Sequence, residues 1–255
     1  MNYPTWSDLS NASIIPPLGA RQAPDISPVA VLVSCGPDMK LITAAVDHPV
    51  TVPFFNSALI TQINRDKGIS VAGPFMGAPY GAMLLESLIA RGAKKILVVG
   101  WCGAVTDELA VGDIVLPTRA IVDEGTSRNY KNLDDALPVS VPDLKLLEQL
   151  SDYLTSSGIA HEKAGIWTTD AIYRETQKKV EYFRSLGASA VEMECSALFS
   201  VAEYRKVSLA ALLVVSDSVA SRVWDPGFRN KTFKQARKAA CKAMMEFSEV
   251  LCENE

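Results

Sequence analysis

The sequence predicts an α/β fold, a largely parallel sheet with helices packed on both faces. Three observations predict it. The runs ILVV (Ile96–Val99) and LAALLVV (Leu209–Val215) are near-continuously apolar, as in strands buried on both sides. Such runs alternate along the chain with stretches of helical apolar spacing. Glycine closes several of those stretches, at Gly92, Gly158 and Gly187, where a residue free to turn left-handed satisfies the last carbonyls of a helix.

Residues 1–28 are polar and hold five of the 14 prolines; they predict an extended arm, disordered or laid over another surface. Order is expected from VAVLVS (Val29–Ser34), a buried-type strand ending at CGPDMK. A short helix around Leu41–Val46 and a strand over GISVAG follow. PYGAMLLESLIARG reads as a helix with Pro79 at its start and Gly92 just past its end. KKILVVG is a strand, GWCGAV a tight glycine loop, and GDIVLPTRAIVDEG a pair of extended segments. The next helix starts near Pro142 and closes at Gly158. HEKAGIWTT is a strand and RETQKKVEYFRSLG a helix closed by Gly187. A short strand, GASAV, then leads through VEME into a helix with apolar positions at Leu198, Val201 and Ala202. SLAALLVVSD is the last main strand, and a long helix from about Thr232 to Leu251 ends the chain. Without an internal repeat or a linker, residues 29–255 are expected to form one domain.

Composition excludes several function classes. With 48% hydrophobic and 21% charged residues, the chain can bury a large core. A net charge of −4 leaves no basic footprint for nucleic acid. The five cysteines form no CxxC and no Cys/His cluster, so neither zinc nor a disulfide framework is expected. His48 and His161 lie far apart with no serine-elbow motif beside them, which argues against a histidine triad. MNYPTWSDLS lacks the charged start and apolar core of a signal peptide, and no apolar run is long enough to cross a bilayer. A soluble, cytoplasmic protein with no membrane partner and no metal or organic cofactor is expected.

Ligands of open α/β sheets bind beyond the carboxyl ends of the strands. That rule selects CGPDMK, GWCGAV, VEME and SDSVASR. Glu192 and Glu194 flank Met193 at such an end, and residues two apart in an extended chain share a face. A carboxylate there accepts two hydrogen bonds from vicinal hydroxyls. The competing reading pairs each glutamate with a cation, or makes it a cap for the helix that begins at Cys195. Asp217 follows a buried run, where desolvation favours the protonated form and so a proton donor; the alternative is a turn or capping aspartate. Glycine-loop amides could meet an anion, and Tyr173 and Trp167 could stack on a planar base or belong to the core.

Together, GPFMGAPYGAMLLESLIARGAKKILVVGWCGAVTDELAVGDIVLP, GIWTTDAIYRET, AVEMECSALFSVAEYRKV and ALLVVSDSV resemble the nucleoside phosphorylase and nucleosidase family, over roughly residues 29–250. The resemblance implies a three-layer α/β/α sandwich with a mixed, partly closed sheet. It implies that Glu194 holds the ribose 2′ and 3′ hydroxyls, that Met193 packs under the sugar, and that Glu192 sits beside base and ribose. Asp217 would protonate the purine ring, positioned by Arg229. Ile172 and Tyr173 would stack on the base, with Arg174 and Ser216 beside it. Gly36, Lys40, Gly100, Trp101, Cys102 and Gly103 would line the anion site.

The implied reaction breaks an N-glycosidic bond of a nucleoside, purine by its aspartate. Phosphate would be the nucleophile and co-substrate, giving free base and ribose 1-phosphate in a homo-oligomer (dimer, trimer or hexamer). Departures from the pattern bear on that nucleophile. Val98 stands where an arginine normally precedes the glycine loop, Trp101 replaces a serine or threonine, and the early glycine–arginine pair becomes Gly36 and Lys40. No arginine lies between Leu41 and Asn64, and no histidine precedes His48. Lys40, Arg119, Arg128 or Arg222 would have to replace the lost guanidinium contacts. Hydrolysis by a nucleosidase, or binding of a nucleoside without catalysis, are the alternatives.

Overall fold

Side chains alternate across a strand with a period of two, and that alternation sorts this sheet's residues into two cores. The computed structural model describes residues 8–19, 25–46, 49–61, 68–133, 136–221 and 223–253. The first half of the chain contains β1 (Val29–Val33), α1 (Gly36–Thr43), β2 (Val50–Phe54), β3 (Ser57–Thr61), β4 (Ser70–Gly73), α2 (Ala78–Ala90), β5 (Lys95–Ala104) and β6 (Ile114–Asp123). After these come β7 (Val139–Ser140), α3 (Leu144–Ser156), β8 (Glu162–Thr169), α4 (Gln177–Ser185), β9 (Ala190–Glu192), α5 (Cys195–Arg205), β10 (Ser208–Ser218), β11 (Asp225–Pro226) and α6 (Lys231–Glu253).

Ala30, Leu32, Ile96, Val98, Leu213 and Val215 face a core completed by Leu84, Leu85 and Leu88 of α2 and Leu198, Phe199 and Val201 of α5. Their neighbours Val29, Val31, Leu97, Val99, Leu212 and Val214 face the other side, where α1, α3 and α6 contribute Ile42, Leu150, Met244 and Phe247. This is the expected three-layer α/β/α sandwich. A smaller cluster under α4 stacks Trp167 on Phe183 with ring centroids 4.4 Å apart.

The sheet is mixed and partly closed. β5 pairs in parallel with β1 and with β10, and antiparallel with β9. The pairs β10–β6, β6–β8 and β8–β9 complete a ring, from which β1, β4, β3 and β2 run outward as an open wing. Antiparallel pairing is more frequent than the apolar strand runs suggest, because β2 and β3 form a hairpin that the sequence pattern did not reveal.

Three further expectations change. The first helix begins at Gly36 instead of near Leu41, with Pro37 in its first turn, where a missing N–H costs nothing. GWCGAV is not a loop: β5 continues through Gly100–Ala104, because β10 pairs beside it over its whole length. Order also starts before Val29. Ile26 and Ser27 are buried, and Asp25 receives Arg91 at 2.8 and 2.6 Å. The described arm residues, with Phe55, Met83, Arg128, Tyr130 and Tyr204, line a groove of about 820 Å³ far along α2 and α5.

His161 bonds Ser151 at 2.8 Å and is structural, whereas His48 and Arg222 lie outside the described residues. Trp167 is fully buried and donates its indole N–H to Asp123 at 3.1 Å; it is core, not a platform for a base. Trp167→Ala should therefore destabilise the chain by about 3–5 kcal/mol, read from urea midpoints at constant m-value.

Candidate active site

The site forms where β5 ends, because Gly103 is flanked there by both acidic strands. It pairs with Val191 on one side and with Asp217 on the other. A Cβ on Gly103 would stand 3.4 Å from Asp217 Oδ2 and 3.4 Å from Val191, so both strands lie in contact distance of this residue. Glu192 and Asp217 also both raise the Cys102 thiol pKa, beyond what burial does alone. The two acidic motifs thus share one end of the sheet.

Glu192 takes the capping role. It is buried, and Thr168 Oγ1 donates to one oxygen while the N–H groups of Glu194 and Cys195 donate to the other at 2.7 Å each. Its carboxylate thereby satisfies the first amides of α5, leaving it little capacity for a sugar. The expected shared face does not form either, since β9 ends at Glu192 and the chain bends at Met193.

The bend carries Glu194 elsewhere. Glu194 Oε1 accepts the Gly77 N–H at 2.6 Å, and the Met193 backbone also hydrogen-bonds the carboxylate. Gly77 has φ +84°, a backbone that favours glycine, and so turns its amide to the carboxylate. Burial, and then the charge of Glu192, push the Glu194 pKa up to about 8. Met193 is half-buried beside it.

Asp217 is held in place by its neighbours. Ser216 Oγ lies 2.5 Å from Oδ1, and the Trp224 indole N–H donates to Oδ2 at 2.8 Å. Ser216 is buried and also reaches the Cys102 carbonyl oxygen at 3.2 Å, so it orients the acid from beneath. Arg229, expected as the partner of Asp217, is exposed and not among its contacts; Trp224 takes that place. Ile172, Tyr173 and Arg174 form a 3-10 turn on the rim, with Tyr173 95% exposed and not stacked.

Glu175, just after that turn, escaped the sequence reading. Burial, then the charge of Asp217, push its pKa up to about 7, with Lys179 opposing.

The nucleophile side differs most from expectation. Gly100–Gly103 belong to the sheet ladder, so they do not form an amide cradle. Lys40 is exposed and Cys102 buried. Arg119 donates to the Leu186 carbonyl at 2.8 Å, and Arg128 lines the groove under the arm. Beside Gly36 stands an unforeseen cluster. Arg237 of α6 donates Nε and Nη2 to Asp38 Oδ1 at 2.8 and 2.5 Å, and the Trp101 indole N–H donates to Asp38 Oδ2 at 2.5 Å. The guanidinium carbon lies 4.7 Å from the Trp101 ring centroid. Phe228 bridges Trp101 and Trp224 at 6.1 Å from each, which joins this cluster to Asp217.

The profile of the Phosphorylase superfamily matches residues 28–249. This chain belongs to that superfamily. The purine nucleoside phosphorylase DeoD-type of Colwellia psychrerythraea is 32% identical over 74% of this chain and 77% of its own length. Among solved structures, purine nucleoside phosphorylase from Toxoplasma gondii in complex with immucillin-H aligns with TM-score 0.81 and 18% identity, covering 96% of this chain and 99% of that one. AMP nucleosidase from Bacteroides thetaiotaomicron aligns with TM-score 0.70 and 24% identity, covering 91% of each chain. This superfamily member keeps the fold, with Asp38, Trp101 and Arg237 packed together beside Gly36.

The raised pKa of Glu194 predicts a stability trend. Its proton is bound more tightly in the folded than in the unfolded chain, so its contribution is complete at low pH and lost as pH rises through about 8. Urea midpoints should fall from about pH 5 to about pH 9, and Glu194→Gln should flatten that fall.

Proposed function

We propose that this chain cleaves the N-glycosidic bond of a purine nucleoside with phosphate, yielding free base and ribose 1-phosphate. The observation that carries the reading is the meeting of β9 and β10 on opposite sides of Gly103, with Asp217 paired to it on one side and Val191, three residues before Glu194, on the other. Superfamily membership and the purine nucleoside phosphorylase relatives support it. The Glu194 side chain is suited to hold the sugar's vicinal hydroxyls, and Met193 to pack against the ring. Cleavage builds positive charge on the sugar and negative charge on the departing base. A bond forms from a phosphate oxygen to the anomeric carbon as the carbon–nitrogen bond breaks. Its electron pair leaves with the base, and the Asp217 proton goes to a ring nitrogen. A carboxylate near the sugar and an acid at the base stabilise that charge separation more than the ground state.

Asp217→Asn should lower kcat by about 10²–10⁴-fold with nucleoside KM little changed, whereas Glu194→Ala should raise nucleoside KM. Unchanged turnover in Asp217→Asn would end the acid assignment. A second reading, hydrolysis by water, is favoured by β5, where Val98 and Trp101 offer neither a guanidinium nor a hydroxyl to an anion. Base release from the parent enzyme with and without phosphate separates the two readings, and equal rates would select water.

The proposal extends to a homo-oligomer acting in the cytoplasm. Met76, 77% exposed beside Gly77, is a large apolar side chain that a second copy would cover. Light scattering should then give a mass above that of the single chain, and a monomer at micromolar concentration would remove this element.

A further inference from the structure

The nucleophile's subsite, which rests on the phosphate reading above, lacks a guanidinium from β5, yet one is present. Arg237 enters from α6, and its side chain is only 12% exposed. Trp101 and Phe233, whose rings meet edge to face 5.0 Å apart, stand 4.7 and 5.4 Å from its guanidinium carbon. Asp38 takes Nε and Nη2 on a single oxygen. Nη1 is left without a partner among the described residues. A planar group packed on aromatic rings and held along one edge loses little freedom when its remaining edge meets an oxyanion.

The neighbourhood is right for an attacking group. Cys35, the residue before Gly36, has its pKa shifted by the charges of Glu194 and Arg237 alike, so the sugar-side carboxylate and this guanidinium lie within electrostatic reach of one sulfur. Trp101, standing at the position of the missing hydroxyl, serves as the surface on which the guanidinium rests. Its indole N–H anchors Asp38, which in turn anchors Arg237. Of the cations first considered, Arg119 and Arg128 are engaged elsewhere.

We infer that Arg237 is the guanidinium that grips the attacking phosphate in this chain, delivered from α6 in place of β5 and held by Asp38 and Trp101. A guanidinium–phosphate contact is bidentate or directional, and lysine does not reproduce it. Steady-state kinetics of the full-length chain test the assignment. Arg237→Lys should raise the KM for phosphate at least about tenfold, with the KM for nucleoside within about twofold of the parent. Because Arg237→Met would strand a buried Asp38, the pair Asp38→Asn with Arg237→Met removes both charges together. It should show the same selective loss with a far-ultraviolet spectrum like the parent's. A phosphate-dependent parent whose phosphate KM is unaltered in both variants would overturn the inference while leaving phosphorolysis intact. Base release from the parent that ignores phosphate would instead overturn the reading on which the inference rests.

Discussion

A carboxylate shut away from water must find donors or give up its charge, and Glu192 meets that constraint for the whole site. Its donors come from β8, through Thr168, and from the first turn of α5. The network runs on through Ser196, which donates to Glu124 at 2.9 Å. One buried acid thus joins β8, β9 and α5 at the point where the chain must leave the sheet. Glu194 is displaced from the strand by that junction and is aimed at Gly77, so one acid of the motif is positioned by the other.

The same economy appears across β5. Closure of the sheet brings β9 and β10 to opposite sides of one strand, so both acidic motifs approach the end where Gly103 lies. Asp217 is then oriented by Ser216 and Trp224, groups that donate hydrogen bonds without adding positive charge.

On the nucleophile side, substitutions that look like losses in the sequence are compensated in space. Val98 is core, packed on the α2 and α5 side, and Trp101 points to the opposite layer. There it meets α6, so the charge absent from β5 reappears from a helix more than 130 residues away along the chain. Asp38 keeps the arrangement neutral, and for that reason the cluster can be buried at all.

The sequence by itself determined the layers, most of the strands and the helices, because apolar periodicity and glycine stops are local signals. It also placed the acidic motifs at strand ends and the family resemblance around them. It could not separate Glu192 from Glu194, since the bend at Met193 follows from burial of one carboxylate against α5. Nor could it show that GWCGAV stays in the sheet, which depends on β10 lying alongside. Glu175, Trp224 and Arg237 carry no local signature: one follows a rim turn, one sits in an exposed loop, and one reads as an ordinary helix charge. Their roles are set by closure of the sheet and docking of α6, which bring distant residues within a few ångströms, and a distance of that kind is written only in the tertiary structure.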